Sequence, residues 1–249
     1  MATVGTDIAT MPRGGPDASW LDRRLETGCR EYLDRDDVDQ RIKRSVVRAL
    51  EWTGDAFKNH ERFAYLVLDE LADVADPRIL ELGAGHGGLS RKLLEHHPTA
   101  RVTVTDIDAT SVLNIAAGGL GSHPRAVVQV ADATEIDSPD EYFDLAVLAL
   151  TFHHLLPAQA AQVIAEGTRV ADKLMIIDLP RSPSLLHLMK LATFVPFLAI
   201  PFAHDGFISS MRAYSPSALR ALAAHAGPGI KVELRRQWLG PQVLVASRA

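Results

Sequence analysis

Short apolar runs alternate with helical patterns along the chain after Asp76-Pro77, a dipeptide that ends the preceding helical pattern. The runs predict strands over residues 78–83, 101–106, 126–132, 143–150 and 173–179, and the patterns between them predict helices over 88–97, 110–119 and 157–170. Such alternation is typical of a doubly wound, mainly parallel sheet. Two closing runs, 230–238 and 242–249, are separated by Gly240-Pro241 and predict a hairpin with an antiparallel last strand. We therefore predict an α/β fold with a seven-stranded sheet.

The other parts of the chain are expected to surround this core, which spans residues 76–249. Residues 1–16 lack a signal-peptide pattern and are expected to be a disordered lead, whereas 17–75 predict a helical cap of two or three helices. After the fifth strand, residues 181–214 are expected to form an insertion over the substrate. Its apolar part, 184–207, contains Lys190, Pro196 and Pro201, which argues against a membrane-spanning helix and leaves only a peripheral membrane contact open.

The composition indicates which partners and which cellular compartment suit this chain. The net charge of −5, without any run of five or more basic residues, argues against nucleic acid as a substrate. Cys29 is the only cysteine, which excludes an internal disulfide and a cysteine-based zinc cluster and suits a reducing compartment. We expect a cytoplasmic protein without stable membrane insertion, and a homodimer remains open.

The first predicted strand leads into a glycine-rich turn, ILELGAGHGGLS at residues 79–90. Its glycines at positions 83, 85, 87 and 88 satisfy both G-x-G-x-G and G-x-G-x-x-G. Turns of this kind hold nicotinamide or flavin dinucleotides as well as S-adenosylmethionine, so glycine spacing alone does not identify the ligand.

Carboxylates at the ends of three successive predicted strands narrow the choice. Glu81 stands two residues before Gly83, where it would oppose a pyrophosphate but suit the cationic sulfonium and ammonium groups of S-adenosylmethionine. Asp106 can accept ribose hydroxyls, and Asp132 can accept from an adenine amino group. Each residue alone also fits a solvated strand end, a helix cap or a tight turn. Together they favour S-adenosylmethionine.

The segments ELGAGHGG, VTVTDID, VADATEI, FDLAVLALTFHHL and the closing hairpin resemble the class I S-adenosylmethionine-dependent methyltransferases, particularly the small-molecule branch of ubiquinone/menaquinone enzymes. The resemblance covers roughly residues 60 to 249. It implies a Rossmann-like fold, S-adenosylmethionine as cofactor and S-adenosylhomocysteine as product. The residues that it implies in cofactor binding are Glu81, Gly83, Ala84, Gly85, Gly87, Asp106, Ile107, Asp132, Ala133 and Ala149.

Two adjacent histidines are the first catalytic candidates. TFHHL places His153 and His154 directly after the fourth strand, where the transferred methyl group should emerge. Histidine has an ordinary pKa of about 6.5 and suits proton removal near neutrality. Side chains adjacent at a helix start point apart, so we expect at most one to reach the substrate and favour His154. Alternatively, one of the two packs against the cap helices and the other only begins a helix.

A second polar cluster follows the apolar segment, in AHDGFISSMRAYS at residues 203–215. His204 is a further catalytic candidate, because a His-Asp neighbour pair can act as an acid or base, although it can also cap a turn at Gly206. The expected acceptor-binding residues are Phe197, Asp205, Arg212 and Tyr214. The histidine spacing matches no H-x-x-x-H metal site, so no metal is expected.

The leading hypothesis is methyl transfer to oxygen or carbon of a small, fairly apolar acceptor, such as a quinone, a phenol or another product of secondary metabolism. Two alternatives keep the cofactor: a cyclisation or elimination assisted by the sulfonium, and a partner protein that binds the cofactor without turnover. A nicotinamide oxidoreductase is disfavoured by Glu81 and by the closing hairpin.

Overall fold

A seven-stranded sheet forms the centre of the molecule in the computed structural model, which describes residues 7–236 and 240–248. The strand order is β3-β2-β1-β4-β5-β7-β6. Six strands are parallel, and β7 runs antiparallel to both neighbours. The strands are β1 (Arg78–Leu82), β2 (Arg101–Asp106), β3 (Ala126–Val130), β4 (Phe143–Ala149), β5 (Ala171–Asp178), β6 (Ile230–Arg236) and β7 (Gln242–Arg248). The predicted doubly wound fold is confirmed; the predicted strand residues 237–238 and 249 lie outside the described part.

Nine helices flank the sheet within the described residues. They are α1 (Trp20–Arg24), α2 (Gln40–Ala56), α3 (Asn59–Glu70), α4 (Gly88–His96), α5 (Ala109–Ala117), α6 (Pro157–Val170), α7 (Ser184–Ala192), α8 (Pro201–Arg212) and α9 (Pro216–Ala226). Local sequence sets several starts: Asp108 caps α5, and the Ser215 hydroxyl accepts the Ala218 amide at the start of α9. Proline at the first position of α6, α8 and α9 has the backbone angle that a helix needs there.

Apolar side chains fill both faces of the sheet and create a three-layer core. On one face, α3, α4 and α5 pack through residues such as Val67, Leu93 and Ile115. On the other, α6 and α9 pack through residues such as Ile164 and Leu222. Because both faces are covered, the open edge of this sandwich at the carboxyl ends of the parallel strands is where a ligand can enter.

The N-terminal segment differs from the expected disordered lead. Residues 1–6 lie outside the described part, but from residue 7 onward the segment packs on the core, with Met11 and Arg13 buried. The Arg13 guanidinium donates to the carbonyl oxygens of His153 and Arg212, each at 2.9 Å. The expectation is therefore wrong for residues 7–16, because a charged side chain that satisfies two buried carbonyls anchors the chain.

The predicted helical cap is interrupted, and the insertion after β5 is only partly buried. Residues 25–39, between α1 and α2, are irregular and carry Glu31 into the core. In the insertion, α7 and α8 are joined by a 3-10 turn at Val195–Phe197. Among the described residues, none of the helices combines the length and the hydrophobicity needed to cross a membrane.

Candidate active site

The glycine turn after β1 takes a backbone path that side chains would obstruct. Gly83, Gly85 and Gly87 all have left-handed backbone angles, with φ of 66°, 58° and 73°. A Cβ on Gly83 would also lie 2.7 Å from Cγ2 of Thr151. The turn is fixed to β2 because the Ala84 amide donates to the Thr105 carbonyl at 2.9 Å. These contacts hold the turn open at the carboxyl edge of the sheet.

Asp106, at the end of β2, links the glycine turn to the second strand. The Gly85 amide donates to its Oδ2 at 2.8 Å, and the Asp108 amide donates to its Oδ1 at 3.0 Å. The carboxylate is partly exposed, and the next residue, Ile107, is exposed. A partly exposed carboxylate fixed by two amides keeps lone pairs for two hydroxyl donors.

Asp132 lies just beyond the end of β3, on the same edge of the sheet. Its Oδ1 accepts the Thr134 amide at 2.8 Å and the Thr134 hydroxyl at 2.7 Å, and the residue is exposed. Ala133 beside it is partly buried. Three strand ends on one edge thus carry carboxyl groups, at Glu81, Asp106 and Asp132.

Glu81 differs from the other two carboxylates because it is only 3% exposed. Its Oε2 accepts a short hydrogen bond from the Ser90 hydroxyl on α4. Burial raises the pKa of Glu81 to about 7, although the hydrogen bond from Ser90 opposes this effect. Glu81 is therefore a buried carboxyl group between β1 and α4 whose pKa lies near neutral pH.

The chain after β4 returns to the glycine turn. Ala149 ends the strand, and Leu150 has a positive φ of 56° while its amide donates to the Ile177 carbonyl at 2.8 Å. The Thr151 hydroxyl then donates to the Gly83 carbonyl at 3.2 Å. The two histidines therefore follow, within three residues in the chain, a residue that contacts the glycine turn.

Two carboxylates flank the ring of His153, which is 3% exposed. Nδ1 lies 2.7 Å from Oδ1 of Asp178, at the end of β5, and Nε2 lies 3.5 Å from Oε1 of Glu31. Burial alone would lower the pKa of His153, but the negative charges of Asp178 and Glu31 outweigh burial and raise that pKa to about 9. At neutral pH the ring carries a positive charge, so it is not a ready proton acceptor.

His154 is the more exposed of the pair, with 28% of its side chain accessible. Its Nδ1 lies 2.9 Å from Oδ2 of Asp34, and its Nε2 lies 3.9 Å from Oε1 of Glu31. The Arg212 guanidinium donates to the His154 carbonyl at 2.5 Å and lies 3.7 Å from Asp34. Burial would raise the pKa of Asp34, but His154 and Arg212 outweigh it and lower that pKa.

The other polar residues predicted in the insertion have structural contacts. Nδ1 of His204 lies 3.1 Å from Oδ1 of Asp205, which also accepts the Tyr32 amide at 2.8 Å, and the rings of Tyr32 and His204 stack 4.2 Å apart. This pair lies within α8, not in a turn at Gly206. Tyr214 is buried and donates to the Leu155 carbonyl at 2.8 Å. Tyr214 therefore anchors the loop after the two histidines.

Phe197 does not pack into a closed pocket. It ends the 3-10 turn between α7 and α8 and is 54% exposed. Several other apolar side chains of this region are also more than half exposed: Leu185, Leu186, Met189, Val195 and Ile200. In this structure the apolar segment is a surface, and contact between Phe197 and an acceptor stays a prediction.

Sequence reasoning missed three carboxylates of the histidine cluster: Glu31, Asp34 and Asp178. Asp178 could have been found, because it lies at the end of the fifth strand, as Asp106 lies at the end of the second. Glu31 and Asp34 come from the irregular segment before α2 and carry no recognisable motif. Their distance in the sequence from His153 gave no sign that they would converge.

Known proteins are similar in sequence to the central part of this chain. Residues 79–173 match the family model described as a methyltransferase domain. A malonyl-[acyl-carrier protein] O-methyltransferase of Geobacter sulfurreducens is 36% identical over 110 residues, covering 44% of this chain and 39% of the relative. An uncharacterised methyltransferase of Geobacillus thermodenitrificans is 32% identical over 143 residues, covering 57% of this chain and 62% of the relative. The matched part of the chain thus spans 39% and 62% of the length of these two curated relatives.

Solved structures share the fold at low sequence identity. Magnesium protoporphyrin IX methyltransferase from Synechocystis, with bound S-adenosylhomocysteine, aligns with a TM-score of 0.56 at 16% identity, covering 88% of this chain and 91% of that one. A methyltransferase from Aquifex aeolicus that depends on S-adenosylmethionine aligns with a TM-score of 0.54 at 19% identity, covering 74% and 88%.

Residues 79–173 are similar to a methyltransferase domain. The chain around them has the fold of these solved S-adenosylmethionine-dependent methyltransferases, as the resemblance found in the sequence implies.

Proposed function

We propose that this chain uses S-adenosylmethionine to methylate oxygen or carbon of a small, fairly apolar acceptor. The observation that carries the proposal is the glycine turn of the methyltransferase domain, with Asp106 fixed to the Gly85 amide and the His153 and His154 cluster directly beyond Thr151. A nucleoside site and a buried polar site therefore share one edge of the sheet.

S-adenosylmethionine would be held by carboxylates and by the glycine turn. Asp106 would accept the ribose hydroxyls, Asp132 would accept from the adenine amino group, and the backbone of the turn at Gly83 and Gly85 would approach the amino acid end. Ile107, Ala133 and Ala149 are the neighbours that complete this proposed set. The sulfonium of the bound cofactor supplies the activated methyl carbon. Glu81, beneath the turn, would favour the positive charges of the cofactor once it is ionised.

The methyl acceptor would lie against the residues that follow β4 and β5. Much of the acceleration of an in-line methyl transfer can come from orientation and exclusion of water. His154 is the member of the histidine cluster that an acceptor would reach, because His153 is nearly inaccessible. We propose that α8, through Asp205 and Arg212, and the segment around Phe197 form the remaining walls.

Calorimetry would test the cofactor half. The purified chain should bind S-adenosylhomocysteine and show no comparable affinity for NAD; equal affinities would contradict the proposal. Mass spectrometry after denaturing extraction would search for co-purified S-adenosylmethionine and apolar small molecules. Incubation of the extracted compounds with labelled cofactor should then yield a product heavier by one CH₂ group. An unchanged acceptor mass would indicate a rearrangement instead.

A further inference from the structure

The two histidine rings direct the same kind of atom towards one carboxylate. Nε2 of His153 and Nε2 of His154 lie 3.5 Å and 3.9 Å from Oε1 of Glu31. The three candidate ligand atoms all lie within 4.8 Å of one another. They come from two distant parts of the chain, the irregular segment before α2 and the turn after β4.

The other ring nitrogen of each histidine, Nδ1, contacts a second carboxylate. Nδ1 of His153 lies 2.7 Å from Asp178, and Nδ1 of His154 lies 2.9 Å from Asp34. A carboxylate accepts hydrogen bonds and donates none when ionised, so each Nδ1 carries a proton. Nε2 of both rings then faces the Glu31 carboxylate. A cation between these three atoms would balance the negative charge of Glu31.

Metal sites in proteins use this arrangement. A histidine that binds a metal almost always donates its other ring N–H to a carboxylate, a carbonyl or water, which fixes the ring orientation. Two histidines and one glutamate are the protein ligands of one class of zinc site, in which a further position stays open for water or substrate.

We propose that Glu31, His153 and His154 bind one divalent zinc-type ion, with Asp178 and Asp34 orienting the two imidazole rings. Zinc bonds to nitrogen and oxygen of about 2.0 to 2.2 Å place tetrahedral ligand atoms roughly 3.4 Å apart. The two measured nitrogen to oxygen distances need to shorten by at most about 0.5 Å to meet that geometry. The ion would lie between Nε2 of His153, Nε2 of His154 and Oε1 of Glu31.

Helix α8 holds the glutamate in position for this role. The Ser209 hydroxyl donates to Oε1 of Glu31 at 2.6 Å and to the carbonyl of Asp205 at 2.8 Å. The carboxylate is therefore fixed with Oε1 directed towards the two imidazole rings.

This inference departs from the sequence-based expectation of no metal, which rested on the spacing of the histidines and on the resemblance to a class that often needs no metal. Its functional part rests on the proposed methyl transfer. The ion binds the acceptor through a hydroxyl oxygen and favours loss of its proton to solvent water. The oxygen lone pair then forms the bond to the methyl carbon, and the carbon to sulfur bond breaks with its electrons left on sulfur. The acceptor class is accordingly a phenol, an enol or another ionisable hydroxyl compound.

Direct metal binding tests the site without any acceptor. Full-length protein treated with a chelator is titrated calorimetrically with Zn²⁺, and with Co²⁺ as an absorption probe of coordination. We expect one equivalent of tight binding and a visible Co²⁺ spectrum of a four- or five-coordinate site. His154→Ala and Glu31→Gln should weaken binding at least 100-fold, and Asp34→Asn about 10- to 100-fold. Replacement of the exposed His225 by alanine is the matched control and should bind like wild type.

Two results would overturn the metal site. One is absence of stoichiometric binding to wild type, which leaves a protonated His153 between carboxylates. The other is binding that survives both His154→Ala and Glu31→Gln. Circular dichroism and S-adenosylhomocysteine affinity are measured for every variant, and Asp34→Asn changes a side chain that is 35% exposed, so folding is not at risk there. Protein that binds S-adenosylhomocysteine but no metal refutes this inference alone, whereas protein that binds metal but no cofactor refutes the proposed function.

Discussion

Burial of Glu81 makes the stability of the cofactor-free protein depend on pH in a defined direction. The carboxyl group has an ordinary pKa of 4.5 when solvated and a pKa of about 7 in the folded protein. Below pH 4.5 the carboxyl group is protonated in both the folded and the unfolded state, so its burial does not change the free energy of unfolding. Above pH 7 it is ionised in both states, and the folded state bears the full cost of the buried charge. Stability is therefore lost as pH rises from about 4.5 to 7.

The raised pKa of Glu81 lowers the free energy of unfolding by about 3 kcal/mol at alkaline pH. The part of this loss that develops between pH 5 and pH 8 is about 2 to 3 kcal/mol. Glu81→Gln removes the charge but keeps an oxygen that can accept from the Ser90 hydroxyl. The variant should therefore be more stable than wild type by roughly that amount at pH 8, and by less than about 1 kcal/mol at pH 5.

Urea unfolding of wild type and Glu81→Gln at both pH values measures this change. Groups that titrate in both proteins cancel when the variant is compared with wild type at each pH. Glu51→Gln, an exposed position on α2, is the control and should show no such pH-dependent gain. If Glu81→Gln is as stable relative to wild type at pH 5 as at pH 8, the reasoning about the buried carboxyl is wrong.

Three further changes probe other parts of the site. Asp106→Ala should weaken S-adenosylhomocysteine binding in calorimetry by about 1 to 3 kcal/mol, because a carboxylate that accepts hydroxyls is lost; unchanged affinity would contradict its role. Phe197→Ala should alter thermal stability little, because the ring is largely exposed, and should raise the KM for the acceptor with cofactor affinity unchanged. Arg13→Ala leaves two buried carbonyls without a donor and should lower the free energy of unfolding in urea by about 2 to 4 kcal/mol.

The sheet could be predicted from the sequence because each strand is coded locally. The pattern at 101–106 gave the bounds of β2 without error, and proline and glycine placed the α9 helix and the closing hairpin. Strand ends also located Asp106 and Asp132, since carboxyl ends of parallel strands share an edge. The same rule applied to β5 would have predicted Asp178.

The histidine cluster could not be predicted in full because its members depend on long-range packing. Glu31 is 122 residues away from His153 in the chain. Ser209 on α8 donates to the glutamate and helps to hold it there, and no local pattern encodes that approach. The pKa of His153 has the same origin: a histidine read from sequence has its ordinary pKa, whereas two carboxylates brought in by folding raise it.

The N-terminal segment is part of the candidate active site, because it fixes the backbone of the two histidines. The carbonyl of His153 accepts from the Arg13 guanidinium, and the carbonyl of His154 accepts from the Arg212 guanidinium. Arg13 also donates to the Arg212 carbonyl, so Arg13 helps to fix the backbone at Arg212. Loss of the segment before residue 14 would remove the Arg13 donor and loosen the Arg212 donor.

Deletion of residues 1–13 should therefore weaken Zn²⁺ binding at the histidine cluster. The affinity for S-adenosylhomocysteine, set by the glycine turn and Asp106, should stay near wild type. Metal affinity that is unchanged by the deletion would show that the segment only covers the site.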